Sequence, residues 1–294
     1  MKLWQNYVTP GSVSEALNAL ASGPAPAFPL AGGTDLLLDL EQGRHSPAYT
    51  LVDLSAVVEM TALEVRNGYL FVGAAVPLSK VARDPLVMRH ARALVEASDL
   101  VGGPQVRNVA TLGGNVAHAL PAADGTIALL ALDALAEMAS LDGNRQIHLA
   151  ELFVGPGKSA LKAGQELIVG FRVPLGEPPQ GSCFRRIMRP QGVALPIINV
   201  AVWLERRRDL VRQSRIAVGP GGPMPWRALD AEHYLAGKPF SKEVRNHAVE
   251  EVVENVRFRT SPRRASEDYR RHLVADLLHA ALISAWDRSS EQQD

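Results

Sequence analysis

The chain has 294 residues, which is enough for one large domain or for two to three smaller ones, each with its own core. Hydrophobic residues make up 47% of it and charged residues 21%, the balance of an ordinary globular protein. Thirty-one basic residues face thirty-one acidic ones, so no net field attracts a polyanion, which argues against nucleic acid as the main partner.

The start of the chain and its apolar stretches predict neither a signal peptide nor a transmembrane segment. "MKLWQNYVTPGS" lacks the apolar core of a signal peptide. The longest apolar stretches, "ALLALDALAEMA" and "VALPIINVAVWL", are too short to cross a bilayer. We therefore expect a cytoplasmic protein.

Short apolar runs alternate with helical patterns in the first half of the chain. Ser12 is a predicted helix cap, because Glu15 follows three residues later as in a capping box. "AFPLAGG" and "YTLVDLS" predict strands, and "YLFVGAAVPLSKVA" predicts a strand followed by a helix. "DPLVMRHARALVEAS" predicts one helix with proline near its first position. "TIALLALDALAEMAS" is apolar nearly all round and is therefore expected to be buried.

Prolines and glycines cluster in "RVPLGEPPQGS", residues 172–182, which predicts a break between structural units. After it, "IINVAVWLERRRDLVRQSRIAVG" predicts two strands joined by a charged turn, and "KEVRNHAVEEVVENV" and "ASEDYRRHLVADLLHAALISAW" predict helices. The simplest partition is an α+β chain with two lobes, 1–60 and 61–174, followed by a C-terminal unit, 175–294.

Two double glycines stand where a strand is expected to end and an apolar segment to begin. They are Gly32–Gly33 in "AGGTDL" and Gly113–Gly114 in "VATLGGNVAHALPAAD". Because glycine has no Cβ, backbone amides in such a turn can approach an anion closely, and two turns could hold the two phosphates of a dinucleotide. For either pair alone a plain tight turn is the stronger interpretation, since short glycine patterns match by chance. The two pairs together favour a binding site.

Polar side chains beside the glycines strengthen this hypothesis. Thr34, Thr111 and Asn115 could add hydrogen bonds to phosphate, and Asp124 could accept one from a ribose hydroxyl. The G-x-G-x-x-G, H-E-x-x-H and G-x-S-x-G motifs are absent. His118 could be a ligand or a base, but a single histidine between alanines is more often structural. We predict no catalytic residue and no metal ligand on this chain.

The single cysteine, Cys183, limits the chemistry that this chain can carry alone. It excludes an internal disulfide, an iron–sulfur cluster with four thiolates from this chain, and a cysteine-based structural zinc site. We expect Cys183 itself to be buried and inert.

The glycine segments also resemble a known family. In order, "PLAGGTDLLLDL", "LVDLS", "VGGPQVRNVATLGGNVAHALPAADGTIALLALDA" and "ELIVGFRVP" resemble the FAD-binding medium subunit of molybdenum hydroxylases, which include xanthine dehydrogenase, carbon monoxide dehydrogenase and 4-hydroxybenzoyl-CoA reductase. The tail "RTSPRRASEDYRRHL" resembles the closing signature of these subunits. The resemblance implies a two-lobed FAD-binding domain of the vanillyl-alcohol-oxidase (PCMH) type. A C-terminal α+β domain with a small, three-stranded antiparallel sheet and helices is expected to follow.

The resemblance also implies a site for non-covalent FAD. Residues 31–36 would wrap the pyrophosphate with backbone amides, and the segment from Thr111 to Asn115 would close on it from the other side. Asp124 would bind the ribose, Leu167 or Ile168 would lie against a ring, and residues 101–102 would pass near the isoalloxazine. The full implied set is Leu30, Ala31, Gly32, Gly33, Thr34, Asp35, Leu36, Val101, Gly102, Val109, Ala110, Thr111, Gly113, Gly114, Asn115, Ala117, Asp124, Leu167, Ile168 and Arg186.

This sequence departs from the family pattern near the expected flavin. His118 and Leu120 stand where many relatives have smaller or polar residues. Phe184, Arg186 and Pro190 replace the Tyr, Lys and second Arg of a Y-x-K-x-x-R-R element. The sequence therefore does not identify the electron acceptor or how it reaches the flavin.

By the same resemblance, the chain is an FAD-carrying electron-transfer subunit of a heteromeric oxidoreductase. A large subunit would hold the molybdopterin and a small one the [2Fe–2S] clusters, in a dimer of heterotrimers. Electrons would pass from the clusters to FAD and on to NAD⁺, a quinone or another soluble acceptor. The alternatives are a stand-alone flavin oxidase acting on a small organic substrate and a non-catalytic module that has lost flavin.

Overall fold

The computed structural model describes residues 2–177, 179–189, 195–262 and 264–290. The strands are β1 Trp4–Val8, β2 Ala27–Leu30, β3 Ala48–Asp53, β4 Leu63–Arg66, β5 Tyr69–Gly73, β6 Leu135–Ser140, β7 Gly143–His148, β8 Phe153–Gly155, β9 Lys158–Ser159, β10 Glu166–Pro174, β11 Gln180–Met188, β12 Pro196–Arg207, β13 Leu210–Gly219 and β14 Trp226–Arg227. The helices are α1 Val13–Ser22, α2 Leu36–Glu41, α3 Val58–Thr61, α4 Leu78–Val81, α5 Pro85–His90, α6 Arg92–Leu100, α7 Pro104–Val109, α8 Leu112–Ala117, α9 Asp124–Ala131, α10 Leu229–Leu235, α11 Lys242–Asn255 and α12 Glu267–Arg288, with a 3-10 turn at Leu149–Leu152. Among the described helices, none combines the length and apolar character needed to cross a membrane.

The first sheet is parallel, in the order β1–β3–β2. The predicted strands around "AFPL" and "YTLVD" are its β2 and β3. Helix α1 begins after Ser12, whose Oγ accepts a hydrogen bond from the Glu15 amide at 3.2 Å, so the predicted cap is confirmed.

The second sheet is antiparallel, in the order β4–β5–β10–β6–β7, with β8 and β9 as a separate hairpin. The single helix predicted from "DPLVMRHARALVEAS" was wrong, because α5 and α6 are separated by Ala91, which has the non-helical angles φ −143° and ψ 53°. The backbone of the preceding His90 packs closely against Gly176, at the connection between the second and third sheets. The apolar "TIALLALDALAEMAS" is buried as predicted, but it is divided between α9 and β6.

The third sheet is antiparallel, in the order β11–β12–β13–β14. It has three long strands, as the resemblance implies, and a fourth of two residues. The charged turn predicted between β12 and β13 is present, with Arg208 at φ 58°. The two predicted C-terminal helices are α11 and α12. The chain is thus α+β, as predicted.

The third sheet lies between two cores because the side chains of β12 alternate between its faces. Ala201 and Trp203 join a core that also contains residues of both N-terminal sheets. Val202 and Leu204 join a second core with α11 and α12. Every residue of α9 is buried, and this helix packs against β12 and β13. The three main sheets lie within 4–53, 63–174 and 180–227; the lobe boundaries at 60 and 174 remain predictions.

Candidate functional site

A cleft of about 490 Å³ opens between the residues after β2, the α6–α7 connection, α8 with the loop after it, and the C-terminal sheet. Every predicted site residue lines this cleft except Val109, Gly113, Leu167 and Ile168. The volume is in the usual range for small-molecule and cofactor sites. The structure therefore brings the two glycine segments, about 80 residues apart in the chain, to one site.

The first glycine segment offers free backbone donors to the cleft. Among the described residues, the amides of residues 32–36 donate no hydrogen bond to a protein acceptor. Gly33 has a φ of +68°, which glycine adopts without strain, and Asp35 does not cap α2 with its side chain. These residues are half-buried or exposed, so their amides can donate to water or to an anion bound in the cleft.

Gly32 is required for a second reason, which is the contact between the two glycine segments. A Cβ built on Gly32 would lie 2.6 Å from the carbonyl carbon of Val109 and 2.7 Å from the Cα of Ala110. Real Cβ atoms do not approach backbone atoms this closely, so only glycine fits here. The two segments touch through their backbones, next to the cleft.

The second glycine segment uses its amides internally, which corrects the expectation that both pairs present amides to a ligand. The amide of Leu112 donates to the Val76 carbonyl at 3.2 Å and that of Gly113 to the Ala74 carbonyl at 2.8 Å. The amide of Gly114 donates to Thr111 Oγ1 at 3.1 Å, which caps α8. A Cβ on Gly113 would meet the Ala74 carbonyl oxygen at 2.6 Å, so this glycine serves packing.

Helix α8 lines the cleft with the Cα of Gly114 and with the side chains of Thr111 and Asn115 at its start. Gly114 is exposed, and a Cβ built there would meet only Thr111 Oγ1, at 3.2 Å. The Oδ1 of Asn115 is buried close to Gly125 of α9 and has no hydrogen-bond partner among the described residues, so the group of this side chain that can donate to a phosphate is Nδ2. The Thr111 hydroxyl accepts from Gly114 and still has its own hydrogen to donate.

Asp124 lies at the first turn of α9 and is 3% exposed. Its Oδ2 pairs with Arg186 of β11, and its Oδ1 accepts from Asn199 Nδ2 of β12 at 2.6 Å. Burial raises the pKa of Asp124, and the Arg186 charge and both hydrogen bonds oppose that rise. Each carboxylate oxygen keeps a lone pair with which it can accept a ligand hydroxyl.

A histidine and a carboxylate approach each other across the cleft. His118, after α8, places its Nε2 4.0 Å from Oδ1 of Asp35, in the first glycine segment. Both residues line the cleft, and both side chains are partly exposed. His118 therefore lies at the site, as the sequence allowed.

The residues predicted to lie against a ring, Leu167 or Ile168, are outside the cleft lining, so that contact stays a prediction. Leu167 and Ile168 of β10 are 3% and 5% exposed, and their side chains belong to the core shared by the N-terminal sheets. Phe184 is buried in the same core and lies outside the cleft lining, while its amide donates to Glu96 at 2.8 Å. Val109 is half-exposed but does not line the cleft, and Pro190 lies outside the described residues.

Sequence reasoning missed the part of the cleft wall formed by loops and by the C-terminal sheet. Apolar residues of β2, α4 and α7 and the α8–α9 loop complete the wall on one side, and Leu195, Pro196 and Arg264 on the other. In the α8–α9 loop, His118 and Leu120 were placed near the expected flavin, and the rest of the loop could have been found because it joins two predicted site residues, Ala117 and Asp124. The family signature at 259–273 contains Arg264 but did not place it at the cleft, and its guanidinium has no ion-pair partner in the described part of the chain.

Cys183 is fully buried in β11, away from the cleft, and burial raises the pKa of its thiol. A protonated, inaccessible thiol is inert, as expected. Among the described residues, no group of His, Cys, Asp and Glu side chains is arranged to hold a metal ion. The site as a whole offers hydrogen-bond donors for a diphosphate and apolar walls for a ring system.

Comparison with known families gives two matches, which together cover most of the chain. Residues 3–176 match the family described as the FAD binding domain in molybdopterin dehydrogenase. Residues 182–285 match the CO dehydrogenase flavoprotein C-terminal domain.

Individual relatives match along nearly their whole length. The nicotine 6-hydroxylase medium subunit of Paenarthrobacter nicotinovorans is 31% identical over 283 residues, covering 96% of this chain and 98% of the relative. The xanthine dehydrogenase FAD-binding subunit of Escherichia coli O157:H7 is 30% identical over 284 residues, covering 95% of each. Among solved structures, a chain of carbon monoxide dehydrogenase from Hydrogenophaga pseudoflava superposes with a TM-score of 0.90 at 27% identity, covering 97% of this chain and 98% of that one. Quinoline 2-oxidoreductase from Pseudomonas putida 86 gives 0.88 at 28% identity, covering 98% of each.

Proposed function

The chain belongs to the family of FAD-binding subunits of molybdopterin dehydrogenases, an oxidoreductase family, and from this premise we propose how its own residues hold the cofactor. The amides of residues 32–36 bind the diphosphate of FAD. Thr111, Asn115 and the bare Cα of Gly114 lie on its other side, and Asp124 accepts a hydrogen bond from the ribose. The observation that carries this proposal is the run of amides without protein acceptors at the wall of the cleft.

The rest of the cleft suits the cofactor's rings. Val101, Val106 and Leu120 provide apolar surface, and Gly102, with φ +55°, lets the backbone after α6 turn beside the cleft. Arg107 fixes that turn, because its Nη1 donates to the Gly102 carbonyl at 2.8 Å. Arg264 adds a positive charge on the side of the C-terminal sheet. A bound flavin supplies the ability to take electrons singly and give them up in pairs.

We further propose that this chain is the electron-transfer subunit of a heteromeric molybdenum hydroxylase in the cytoplasm. Electrons arrive from [2Fe–2S] clusters on a small partner subunit, after substrate oxidation on a large molybdopterin subunit, in a dimer of heterotrimers. They leave for NAD⁺, a quinone or another soluble acceptor. The single cysteine supports the location of the clusters on another chain, since such clusters usually take four thiolates. One relative in this family is itself named a medium subunit.

The alternative, a stand-alone flavin oxidase, needs a base beside the substrate. His118 is the histidine that lines the cleft, and its neighbour Asp35 also lies on the diphosphate segment. A base in that place would act beside the phosphates rather than at the reacting ring. The site therefore favours a cofactor carrier over a substrate-oxidising centre.

Purification of the full chain with its native partners separates the two functions. We expect a large and a small chain to copurify, with molybdenum and iron in the complex. In the complex, organic substrate should bleach the flavin band, whereas the isolated chain loaded with FAD should not respond to substrate. If the isolated, FAD-loaded chain oxidises a small alcohol or amine at a rate comparable to the complex, the oxidase function is correct instead.

A further inference from the structure

A buried amide of the C-terminal sheet holds two residues of the cleft wall from behind. Asn199 of β12 is 0% exposed, and its Nδ2 donates to the Ala122 carbonyl at 3.0 Å and to Asp124 Oδ1 at 2.6 Å. Both acceptors line the cleft, whereas Asn199 does not. Its Oδ1 is buried without a hydrogen-bond partner among the described residues. A buried polar atom without a partner destabilises a fold, so packing alone does not explain an asparagine here.

Three neighbouring strands form the surroundings of this amide. Arg186 of β11 and Gly219 of β13 are the cross-strand partners of Asn199. Arg186 pairs with the other carboxylate oxygen of Asp124. Gly219 provides the space, because a Cβ there would lie 2.7 Å from Cγ1 of Ile127 in α9 and would also strike Asn199 Oδ1. The three paired residues Arg186, Asn199 and Gly219 thus form the part of the sheet that packs against the first turn of α9.

The consequence for the cleft is a fixed carboxylate. With Oδ1 held by Asn199 and Oδ2 by Arg186, the Asp124 side chain has one orientation, and its remaining lone pairs keep fixed directions. Asn199 also holds the Ala122 carbonyl, so the loop between α8 and α9 is fixed at the same point. A site whose polar groups are held before the ligand arrives loses less entropy on binding.

We propose that Asn199 is a positioning residue of the cofactor site, through which the C-terminal sheet sets Asp124 and the α8–α9 loop for binding. This inference rests on the proposed function, because it assumes that the ligand of the cleft is FAD. It adds that FAD retention depends on a residue that does not contact FAD, on a different sheet from the diphosphate segment.

The test compares FAD affinity with stability in the full chain, purified with its partners where they assemble. Asn199→Leu removes both Nδ2 hydrogen bonds while keeping a similar side-chain volume. Asn199→Ser keeps a polar group, but its side chain is too short to reach Ala122 and Asp124. The matched control is Val202→Ala on the same strand, whose side chain faces the opposite core. FAD is removed and added back, the dissociation constant is measured by flavin fluorescence, and the Tm of each FAD-free form is recorded.

We expect both Asn199 variants to bind FAD about tenfold to about a hundredfold more weakly, since they lose hydrogen bonds to a charged group and a loop carbonyl. Val202→Ala should lower the Tm without changing FAD affinity. In an Asp124→Asn background, Asn199→Ser should cost clearly less FAD affinity than it does in the wild type, because the part of its effect that acts through the Asp124 carboxylate is already lost and only the part that acts through the Ala122 carbonyl remains. If Asn199→Leu does not fold, Asn199→Ser alone decides the outcome.

Two results would overturn the positioning role. One is FAD affinity of the Asn199 variants equal to that of the wild type, and the other is full additivity with Asp124→Asn. Both presuppose a wild-type chain that binds FAD, so they leave the proposed function intact. A wild-type chain that binds no FAD would instead remove the proposed function itself.

Discussion

Gly32 and Gly114 line the same cleft, but the structure predicts opposite consequences for an added methyl group. In Gly32→Ala the Cβ would collide with the backbone of Val109 and Ala110. Backbone cannot move aside as a flexible side chain can, and overpacking of this kind destabilises a fold by about 1–3 kcal/mol. The Tm of the FAD-free chain should therefore fall by several degrees.

Gly114→Ala places its methyl group in the open cleft instead. Position 114 lies within α8, where alanine is favoured over glycine by up to about 1 kcal/mol. The contact with Thr111 Oγ1 at 3.2 Å requires a shift of a few tenths of an ångström and offsets part of that gain. The unfolding free energy of the FAD-free chain should stay within about 1 kcal/mol of the wild-type value, so its Tm should change little. FAD affinity should fall about tenfold, which is about 1.4 kcal/mol, because the methyl group takes space that the diphosphate needs.

The assay is a pair of measurements on each variant, the Tm of the FAD-free chain by calorimetry and the FAD dissociation constant by fluorescence quenching. Gly114→Leu extends the series, since a larger side chain at the same position should abolish FAD retention while the chain stays folded. Wild-type FAD affinity in both Gly114 variants would refute the placement of the diphosphate beside α8. An unchanged Tm in Gly32→Ala would refute the backbone contact between the two glycine segments.

Two further predictions concern interactions away from the cleft. Glu96 of α6 accepts hydrogen bonds from the Phe184 amide at 2.8 Å and from Arg288 Nη2 at 2.6 Å. Glu96→Ala leaves the buried Phe184 amide without its acceptor and should lower the free energy of unfolding by about 2 kcal/mol. Urea titration measures this change, and an unchanged midpoint would contradict it. The hydrogen bond from the Tyr7 hydroxyl to Asp53 raises the pKa of Tyr7 to about 12, so its stabilisation should be complete below about pH 10 and lost as the pH rises through about 12. The Tm difference between wild type and Tyr7→Phe should accordingly be constant from neutral pH to about pH 9 and shrink at higher pH. A Tm difference that stays the same up to about pH 12 would contradict this prediction.

Local sequence patterns predicted the elements whose signals are local. Ser12 and Glu15 marked the start of α1, and two apolar runs joined by a charged turn marked β12 and β13. The split of "TIALLALDALAEMAS" between α9 and β6 could not be predicted, because a segment apolar on every side has no periodicity to read. Its turn is made at Asp133, a non-glycine residue with a φ of 57°.

The cleft residues that lie in one short segment could be predicted from the sequence. Those that reach the cleft only through tertiary contacts could not. The first glycine segment carries its own signal, with Gly33 in a left-handed conformation and free amides beside it. The amides after Thr111 are used by carbonyls of residues 74 and 76, and a sequence pattern does not show that pairing. The same holds for Asn199, which meets Asp124 only because β12 packs on α9.

The most direct test of the central claim is the FAD content of the purified full chain, measured by its absorption spectrum and by the flavin released on denaturation. We predict a yellow protein with one FAD per chain, released intact because it is held without a covalent bond. A colourless protein that takes up no FAD on reconstitution, although it is folded, would contradict the account.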